Sequence, residues 1–221
     1  MKDGDSRQAT EIAVFSRLEQ GLAELSLPSS QKQLEQLTEL VGILGHWAGR
    51  INLTGHRDPM EMTSRLVLDA AALAASLPEL SSSTSLADLG SGAGFPGLPI
   101  AILYPDLSVT LVESRLKRNH FQRAARRRLG IENVSSILGR SDEVEQTPCD
   151  IVVAQAMTQP RRAFELMAEW SHSASILALP ASEAAISPKA PDGFEEMTLR
   201  EYVVPGIGSA RRLWIARASG K

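Results

Sequence analysis

Apolar residues recur at intervals of three and four through the first third of the chain, a spacing that places them on one face of each of several helices. Two amphipathic helices are predicted over residues 7–49, and a third runs from Pro59 to Leu77. The apolar positions of the first two are Ile12, Phe15, Leu18, Leu22, Leu25, Leu34, Leu37, Leu40, Val41, Leu44 and Trp47.

From Ser85 onward, short apolar runs alternate with helical stretches that are predicted to start near Pro96, Arg115, Ser141 and Pro160. Such alternation indicates parallel strands joined by helices that cover both sheet faces. Only a short glycine-containing loop (PGIGSA) separates the last two runs, so these should pair antiparallel. The candidate strands are Ser85–Leu89, Val109–Glu113, Val134–Leu138, Ile151–Ala154, Ser175–Leu179, Thr198–Val204 and Leu213–Ala216. We therefore predict an α/β fold, with an N-terminal helical extension over residues 1–80 and a sheet domain over residues 81–221.

Composition describes an ordinary soluble globular chain of 221 residues, with 43% hydrophobic and 22% charged residues. The single cysteine, Cys149, excludes a disulfide scaffold and a cysteine-built zinc site. The four histidines are scattered without metal-ligand spacing, so no metal site is expected. No apolar run approaches the length of a membrane span and the N-terminus is polar, so we expect a cytoplasmic protein that does not enter a membrane.

The net charge of −3 argues against a nucleic-acid partner only if the charge is evenly spread. It is not, because the segment from Arg115 to Arg128 contains seven basic residues and no acidic one. A solvated helix face is one interpretation of this segment. A surface that contacts nucleic-acid phosphates is the other.

A glycine-rich loop follows the first predicted strand and precedes a helix. Its glycines at 90, 92 and 94 allow a sharp turn and bring backbone N–H groups close to a ligand. The helix N-terminus adds a positive dipole end, and ligands of open parallel sheets bind at this edge. Glu113 ends the second strand, 19 residues after Gly94, where a carboxylate can accept hydrogen bonds from ribose hydroxyls. The pattern predicts a nucleotide-like ligand.

Two cofactor classes remain open from spacing alone. The run Gly92–Gly97 matches the G-x-G-x-x-G dinucleotide fingerprint, which leaves a nicotinamide-dependent oxidoreductase as one hypothesis, although no Tyr-Lys hydride-transfer pair is recognisable. The longer D-x-G-S-G-x-G pattern that begins at Asp88 is more similar to an S-adenosylmethionine loop.

Several stretches together resemble the RsmG (GidB) family. They are NLTGHRDP from Asn52, the segment from Glu61 through Arg65 to Asp69, FPGLP from Phe95, and the pair Lys117-Arg118. This family methylates N7 of a guanosine in bacterial small-subunit ribosomal RNA. The resemblance, over roughly residues 35–217, implies a class I methyltransferase (Rossmann-like) fold with a seven-stranded sheet and S-adenosylmethionine as the methyl donor. It also implies small-subunit ribosomal RNA or the 30S subunit as the partner. We expect a monomer.

The loop, the basic segment and the resemblance together predict two sets of site residues. Cofactor contacts are expected from Asp88, Gly90, Ser91, Gly92, Gly94, Phe95, Glu113, Ser141, Asp142 and Gln155, with Ser141 and Asp142 beside the adenine. RNA contacts are expected from Arg65, Lys117, Arg118, Arg123, Arg126, Arg127, Arg211 and Arg212.

The chain departs from the family pattern at four positions. Glu113 stands where the family usually has Asp, and Leu66 stands where it has His. Gln155 replaces an arginine after the fourth strand, and Pro180 replaces a lysine after the fifth. A diverged relative with another substrate or without turnover is therefore an alternative. No catalytic base is expected, because guanine N7 already carries an in-plane lone pair and the reaction depends on positioning.

Overall fold

The computed structural model describes residues 2–77, 80, 84–155, 157–181, 188–195, 197–208 and 210–219, with side chains described from residue 6. The helices are α1 (Lys2–Glu24), α2 (Gln31–Ala48), α3 (Pro59–Met62), a π-helical segment (Thr63–Leu68), α4 (Asp69–Ser76), α5 (Gly97–Leu103), α6 (Leu116–Leu129) and α7 (Pro160–Ala168). The strands are β1 (Ser85–Leu89), β2 (Ser108–Glu113), β3 (Val134–Leu138), β4 (Cys149–Ala154), β5 (Ser171–Ala181), β6 (Thr198–Val203) and β7 (Ala210–Arg217).

The seven strands form one sheet in the order β3-β2-β1-β4-β5-β7-β6. Strands β1 to β5 are parallel to one another, whereas β7 lies antiparallel between β5 and β6. The predicted α/β class and the predicted terminal hairpin are confirmed. Because parallel strands end on the same side, Leu89, Glu113, Leu138 and Ala154 lie along one edge of the sheet, which we call the carboxyl edge.

Helices cover both faces of the sheet, as the strand–helix alternation predicts. On one face, α1, α2, α4, α5 and α6 share a single apolar core with the strands, in which Trp47 of α2 meets Phe121 of α6 edge to face at 5.7 Å between ring centroids. Helix α7 covers the other face and buries Phe164 and Met167 beside Trp170. The N-terminal helices are therefore packed against the same sheet face as α5 and α6.

Local signals in the sequence place most helix ends. Ser30 caps α2 in a capping box with Gln33, and Gly130 ends α6 in the left-handed conformation. The helix predicted near Ser141 is wrong. The carbonyl of Arg140 accepts hydrogen bonds from the N–H groups of residues 143 and 144, which closes one turn, and Pro148 immediately precedes β4. The segment between β3 and β4 contains this turn and no helix.

The predicted third helix is present as three consecutive segments, α3, the π-helical segment and α4. Asp58 begins it by accepting the N–H groups of Met60 and Glu61. A π-helical turn inserts an extra residue into the helical repeat, so it changes which side chains face the sheet after it. The first residue after this turn is Asp69, which is buried. No helix among the described residues is both long and apolar enough to cross a membrane.

Candidate functional site

The glycine loop joins β1 to α5 at the carboxyl edge. Gly90, Gly92 and Gly94 all have positive φ angles, of 69°, 58° and 82°, which side-chain-bearing residues adopt only with strain. A methyl group at Gly94 would also collide with the side chain of Leu98 at 2.5 Å, so this glycine is required for packing as well. Gly92 is less crowded, since the nearest side-chain atom, Nη1 of Arg118, would be 3.9 Å from a Cβ there, an ordinary van der Waals contact. The loop is thus tightly packed at Gly94 and less tightly packed at Gly92.

Asp88 supports the loop from within the protein. Its side chain is fully buried, and Oδ2 accepts the N–H of Gly97 at 2.9 Å. Burial raises the pKa of Asp88 to about 7; the Gly97 hydrogen bond opposes this rise and the nearby Glu113 carboxylate adds to it. Oδ1 is buried and has no hydrogen-bond partner among the residues that the structure describes. Asp88 therefore positions the first turn of α5.

Glu113 lies directly beside the loop, as its spacing from Gly94 predicts. Its carboxylate is almost fully buried, with Oε2 accepting the N–H of Gly92 at 2.9 Å and Oε1 accepting the N–H of Arg115 at 2.7 Å. The guanidinium of Arg118 lies 3.9 Å from Oε2. A carboxylate has about four lone-pair sites, so this one retains acceptor capacity beyond its two backbone donors.

A buried hydrogen-bond network that sequence reasoning missed fastens the loop to α6 and β3. The Gln122 side chain donates to Oγ of Ser91 at 2.9 Å and to the carbonyl of Gly92 at 2.8 Å. Its own Oε1 accepts from Oγ of Ser136 at 2.6 Å, and Ser136 accepts from Asn119 at 2.8 Å. The network fixes the two loop residues around the first glycine turn, and only the tertiary structure brings its members together.

The predicted adenine side of the site lies after β3. Ser141 is buried and its carbonyl accepts the indole N–H of Trp170 at 3.0 Å, so its backbone is held in place. Asp142 pairs with Arg140 at 3.2 Å, and this hydrogen bond lowers the pKa of the Asp142 carboxyl. Leu138, which is paired in register with Glu113, keeps 46% of its surface exposed. Leu138 thus presents an exposed apolar side chain next to the Glu113 carboxylate.

Phe95 and Met157 border the loop on its other sides. Phe95 is half-buried against the core of the helical face. Met157 follows β4, and its side chain would lie 3.0 Å from a Cβ at Gly90, so it packs over the first glycine of the loop. A flexible methionine in this position can move for a ligand at little cost.

The predicted residue Gln155 belongs to a polar cluster, which we call the Asp69 cluster. It consists of Asp69, Gln155, Tyr202 and Arg211. The hydroxyl of Tyr202 lies 3.3 Å from Oδ1 of Asp69, Nη2 of Arg211 lies 3.4 Å from Oδ2, and the Gln155 side chain is close enough to the same carboxyl to lower its pKa. Since Gln155 directly follows Ala154, which pairs with Leu89, the cluster lies beside the glycine loop.

Burial has the largest effect on the pKa values of Asp69 and Tyr202 in the Asp69 cluster. Desolvation raises the pKa of Asp69, and Arg211, Tyr202 and Gln155 each offset part of the increase. The Tyr202 hydroxyl has its pKa raised by burial and by the neighbouring carboxylate. From the sequence, Asp69 is as consistent with a capping or hydrogen-bonding residue of the helical extension as with a substrate contact, and its partners, which are more than 80 residues away in the chain, could not be identified.

The basic segment forms an exposed surface on α6. We call Arg115, Lys117, Arg123, Arg126 and Arg127 the basic face, because all five are exposed and none forms an ion pair with a described residue. The last residue of the segment, Arg128, is different, since it pairs with Glu39 of α2 at 2.6 Å. The basic face begins two residues after Glu113 and so adjoins the glycine loop.

The other predicted RNA contacts are dispersed. Arg65 is exposed on the π-helical segment. Arg211 is held by Asp69, whereas Arg212 lies 3.5 Å from Glu201 and points to the opposite side of β7 because strand side chains alternate. The structure thus places Arg211 near the loop and Arg212 away from the Asp69 cluster.

Comparison with known proteins identifies relatives across most of the chain. The family model described as rRNA small subunit methyltransferase G (GidB) matches residues 33–206. The chain is 32% identical over 212 residues to "Ribosomal RNA small subunit methyltransferase G" of Shewanella piezotolerans, covering 90% of this chain and 96% of that protein. The protein of the same name from Chromohalobacter salexigens is 38% identical over 154 residues, covering 70% and 72% of the two chains.

Solved structures share the fold at low sequence identity. A SAM-dependent methyltransferase from Aquifex aeolicus superposes with a TM-score of 0.54 at 15% identity, covering 70% of this chain and 93% of that one. TrmN from Thermus thermophilus gives a TM-score of 0.51 at 18% identity, covering 69% and 48%. The expected class I methyltransferase fold is confirmed.

Proposed function

The chain belongs to the rRNA small subunit methyltransferase G (GidB) family, and from this membership we propose that it transfers the methyl group of S-adenosylmethionine to N7 of a guanosine in small-subunit ribosomal RNA. The observation that carries the proposal within the structure is the glycine loop, whose three positive-φ glycines lie beside the buried Glu113 carboxylate. A Cβ at Gly92 would meet only Nη1 of Arg118, at 3.9 Å, and the carbonyl of Gly90, at 4.0 Å, so this part of the loop is not tightly packed.

The residues around the loop fit the proposed cofactor. Glu113 has acceptor capacity for ribose hydroxyls, and Leu138 offers an apolar surface to the adenine. The backbone of Gly90 and Gly92 can approach a ligand closely since neither carries a side chain. When bound, S-adenosylmethionine supplies an electrophilic methyl group on a sulfonium ion. Asp88 would not contact the cofactor itself and supports the loop by accepting a hydrogen bond from the N–H of Gly97.

The remaining predicted cofactor residues are assigned to the proposed site because they lie near the loop. Ser91 is fixed by Gln122, and Gly94 and Phe95 complete the loop. Ser141 and Asp142 would border the adenine, while Gln155 stands between the loop and the Asp69 cluster.

The acceptor chemistry requires positioning rather than proton transfer. Guanine N7 attacks through a lone pair that lies in the plane of the ring, so no side chain has to remove a proton first. The part of the chain that the structure describes has no cluster of metal-ligating side chains either. The role of the protein is then to hold the base edge in line with the methyl group.

The RNA is proposed to contact the basic face of α6 together with Arg118, Arg65 and Arg211. Phosphate contacts supply most of the affinity of proteins for nucleic acid, and five exposed cations without ion-pair partners are suited to them. Arg212 would contribute only at the periphery, next to Glu201. We further propose that residues 81–221 carry the cofactor, that residues 1–80 widen the RNA surface, and that the protein acts as a cytoplasmic monomer on ribosomal RNA or the 30S subunit.

Labelled S-adenosylmethionine tests the proposal directly. The purified chain is incubated with 30S subunits or ribosomal RNA from cells that lack the modification, and the expected result is label on N7 of one guanosine. A thermal-shift comparison of S-adenosylhomocysteine with NAD provides the second readout, with stabilisation by S-adenosylhomocysteine alone expected. Stabilisation by NAD would favour the oxidoreductase instead, and cofactor binding with no label on either substrate would show a relative without this activity.

A further inference from the structure

Asp69, Tyr202 and Arg211 are not among the residues proposed to hold the cofactor, yet they lie at the carboxyl edge beside the loop. Asp69 is only 5% exposed, which is unusual for an aspartate unless it is paired. Its partners come from three different parts of the fold: Tyr202 from β6, Arg211 from β7, and Gln155 from the end of β4. Such convergence needs a reason, because an apolar cluster would be at least as stable.

The carboxylate of Asp69 still has acceptor capacity. Tyr202 and Arg211 occupy one site on each oxygen, at 3.3 and 3.4 Å, out of about four in total, and Gln155 lies near the same carboxylate. The Arg211 contact is long for an ion pair, and the Nε of this arginine is buried with no hydrogen-bond partner among the described residues. Arg211 is therefore the partner that a ligand can replace at the lowest cost.

We infer that Asp69 binds the Watson–Crick edge of the methylated guanine, accepting hydrogen bonds from N1–H and the 2-amino group, and that Arg211 turns from Asp69 to an RNA phosphate as the base enters. This inference rests on the proposed function. Enzymes that act on bases commonly read an extruded base through this edge. N7 lies on the opposite edge of the ring, so a base held in this way leaves N7 free for the methyl group.

Charge development favours the same arrangement. Methylation at N7 makes the guanine ring cationic and its N1–H a stronger donor, so the hydrogen bonds to a carboxylate strengthen as the methyl group is transferred. An interaction that is stronger in the transition state than in the ground state accelerates the reaction. A cation in the place of Asp69 would have the opposite effect.

The test compares guanosine with inosine at the methylated position, in the wild type and in Asp69→Asn. Inosine lacks the 2-amino group and therefore one of the two proposed hydrogen bonds. For the wild type we expect kcat/KM on inosine to fall by about 10- to 100-fold, as for the loss of a hydrogen bond to a charged group. Asparagine keeps one acceptor oxygen but has an NH2 donor in the place of the other, so it cannot pair side by side with both donors. In this variant we expect guanosine methylation to fall by about 100-fold and the inosine penalty to shrink to less than about threefold.

Controls separate recognition from folding. Affinity for S-adenosylhomocysteine should be the same in Asp69→Asn as in the wild type, and Tyr202→Phe, which removes a partner but keeps the carboxylate, should retain the inosine penalty. If Asp69→Asn does not fold, Asp69→Glu carries the same comparison, with the displaced carboxylate expected to lower the rate on guanosine more than the rate on inosine. An equal inosine penalty in the wild type and the Asp69 variant overturns the inference. A wild type that methylates no guanosine overturns the proposed function instead.

Discussion

Replacing Asp88 with asparagine should change how the stability of the protein depends on pH. Burial raises the pKa of this carboxyl to about 7 from an ordinary value of 3.8. The folded state therefore binds a proton that the unfolded state releases, and the stability of the wild type falls as the pH rises through this interval. Asparagine does not titrate and keeps an oxygen for the N–H of Gly97, so the variant lacks this decline.

The size of the effect follows from the pKa interval. A rise of about 3 pKa units corresponds to about 4 kcal/mol, at 1.36 kcal/mol for each unit. Somewhat over a third of this is already lost near pH 5, where the carboxyl of the unfolded chain is largely ionised. Between about pH 5 and about pH 8, the unfolding free energy of Asp88→Asn should thus increase by roughly 2–3 kcal/mol relative to that of the wild type.

Urea denaturation at several pH values, without cofactor, measures this difference. Asp142→Asn is the matched control, because the pKa of this carboxyl is lowered and the group stays ionised over the same range. Its unfolding free energy relative to the wild type should not change between about pH 5 and about pH 8. A pH-independent difference for Asp88→Asn as well would refute the argument that this buried carboxyl is neutral near pH 7.

Other substitutions test the loop and the basic face. Gln122→Leu removes three hydrogen bonds of the buried Gln122 side chain and should lower the unfolding free energy by about 2–4 kcal/mol. The variant should also bind S-adenosylhomocysteine more weakly, as measured by calorimetry. Unchanged binding would show that the network does not shape the loop. Gly97→Ala places a methyl group against Leu111 and should lower the unfolding free energy by about 1–3 kcal/mol. Gly45→Ala, in open space on α2, should instead raise the unfolding free energy by as much as about 1 kcal/mol. Arg126→Glu with Arg127→Glu should weaken RNA binding and reduce the salt slope of log affinity by about 1.4, and an unchanged slope would remove these residues from the interface.

The regular elements of the fold could be predicted because burial imposes a period on the sequence. Strands β1 and β3 are found at their predicted bounds, and Glu113 was located by spacing because β1 and β2 are adjacent in the sheet. The helix expected near Ser141 is absent, since a short polar segment carries no reliable hydrophobic period.

The polar networks could not be predicted, and the reason is physical. Gln122 reaches Ser91 and Ser136 only because α6 packs across β2 and β3, and no local pattern distinguishes it from any glutamine of a surface helix. Asp69 and Arg211 are 142 positions apart, and their contact depends on a π-helical turn that has no established sequence signature. The spacing of hydrophobic residues in the sequence indicates which side chains face the core, whereas tertiary packing determines the hydrogen-bond partners.

This chain has the neutral residue Gln155 where the family usually has an arginine, and the difference affects whether the chain can catalyse methyl transfer. In the structure Gln155 lies beside Asp69, where its side chain lowers the pKa of the carboxyl, and Arg211 supplies the balancing charge of the Asp69 cluster. A second cation beside Asp69 would compete with a guanine for the remaining acceptor sites and would repel the positive charge that forms on the ring. The glutamine keeps the carboxylate oriented without either penalty. Its presence is therefore compatible with catalysis, and restoring the cation by Gln155→Arg should raise RNA affinity at low salt without raising kcat.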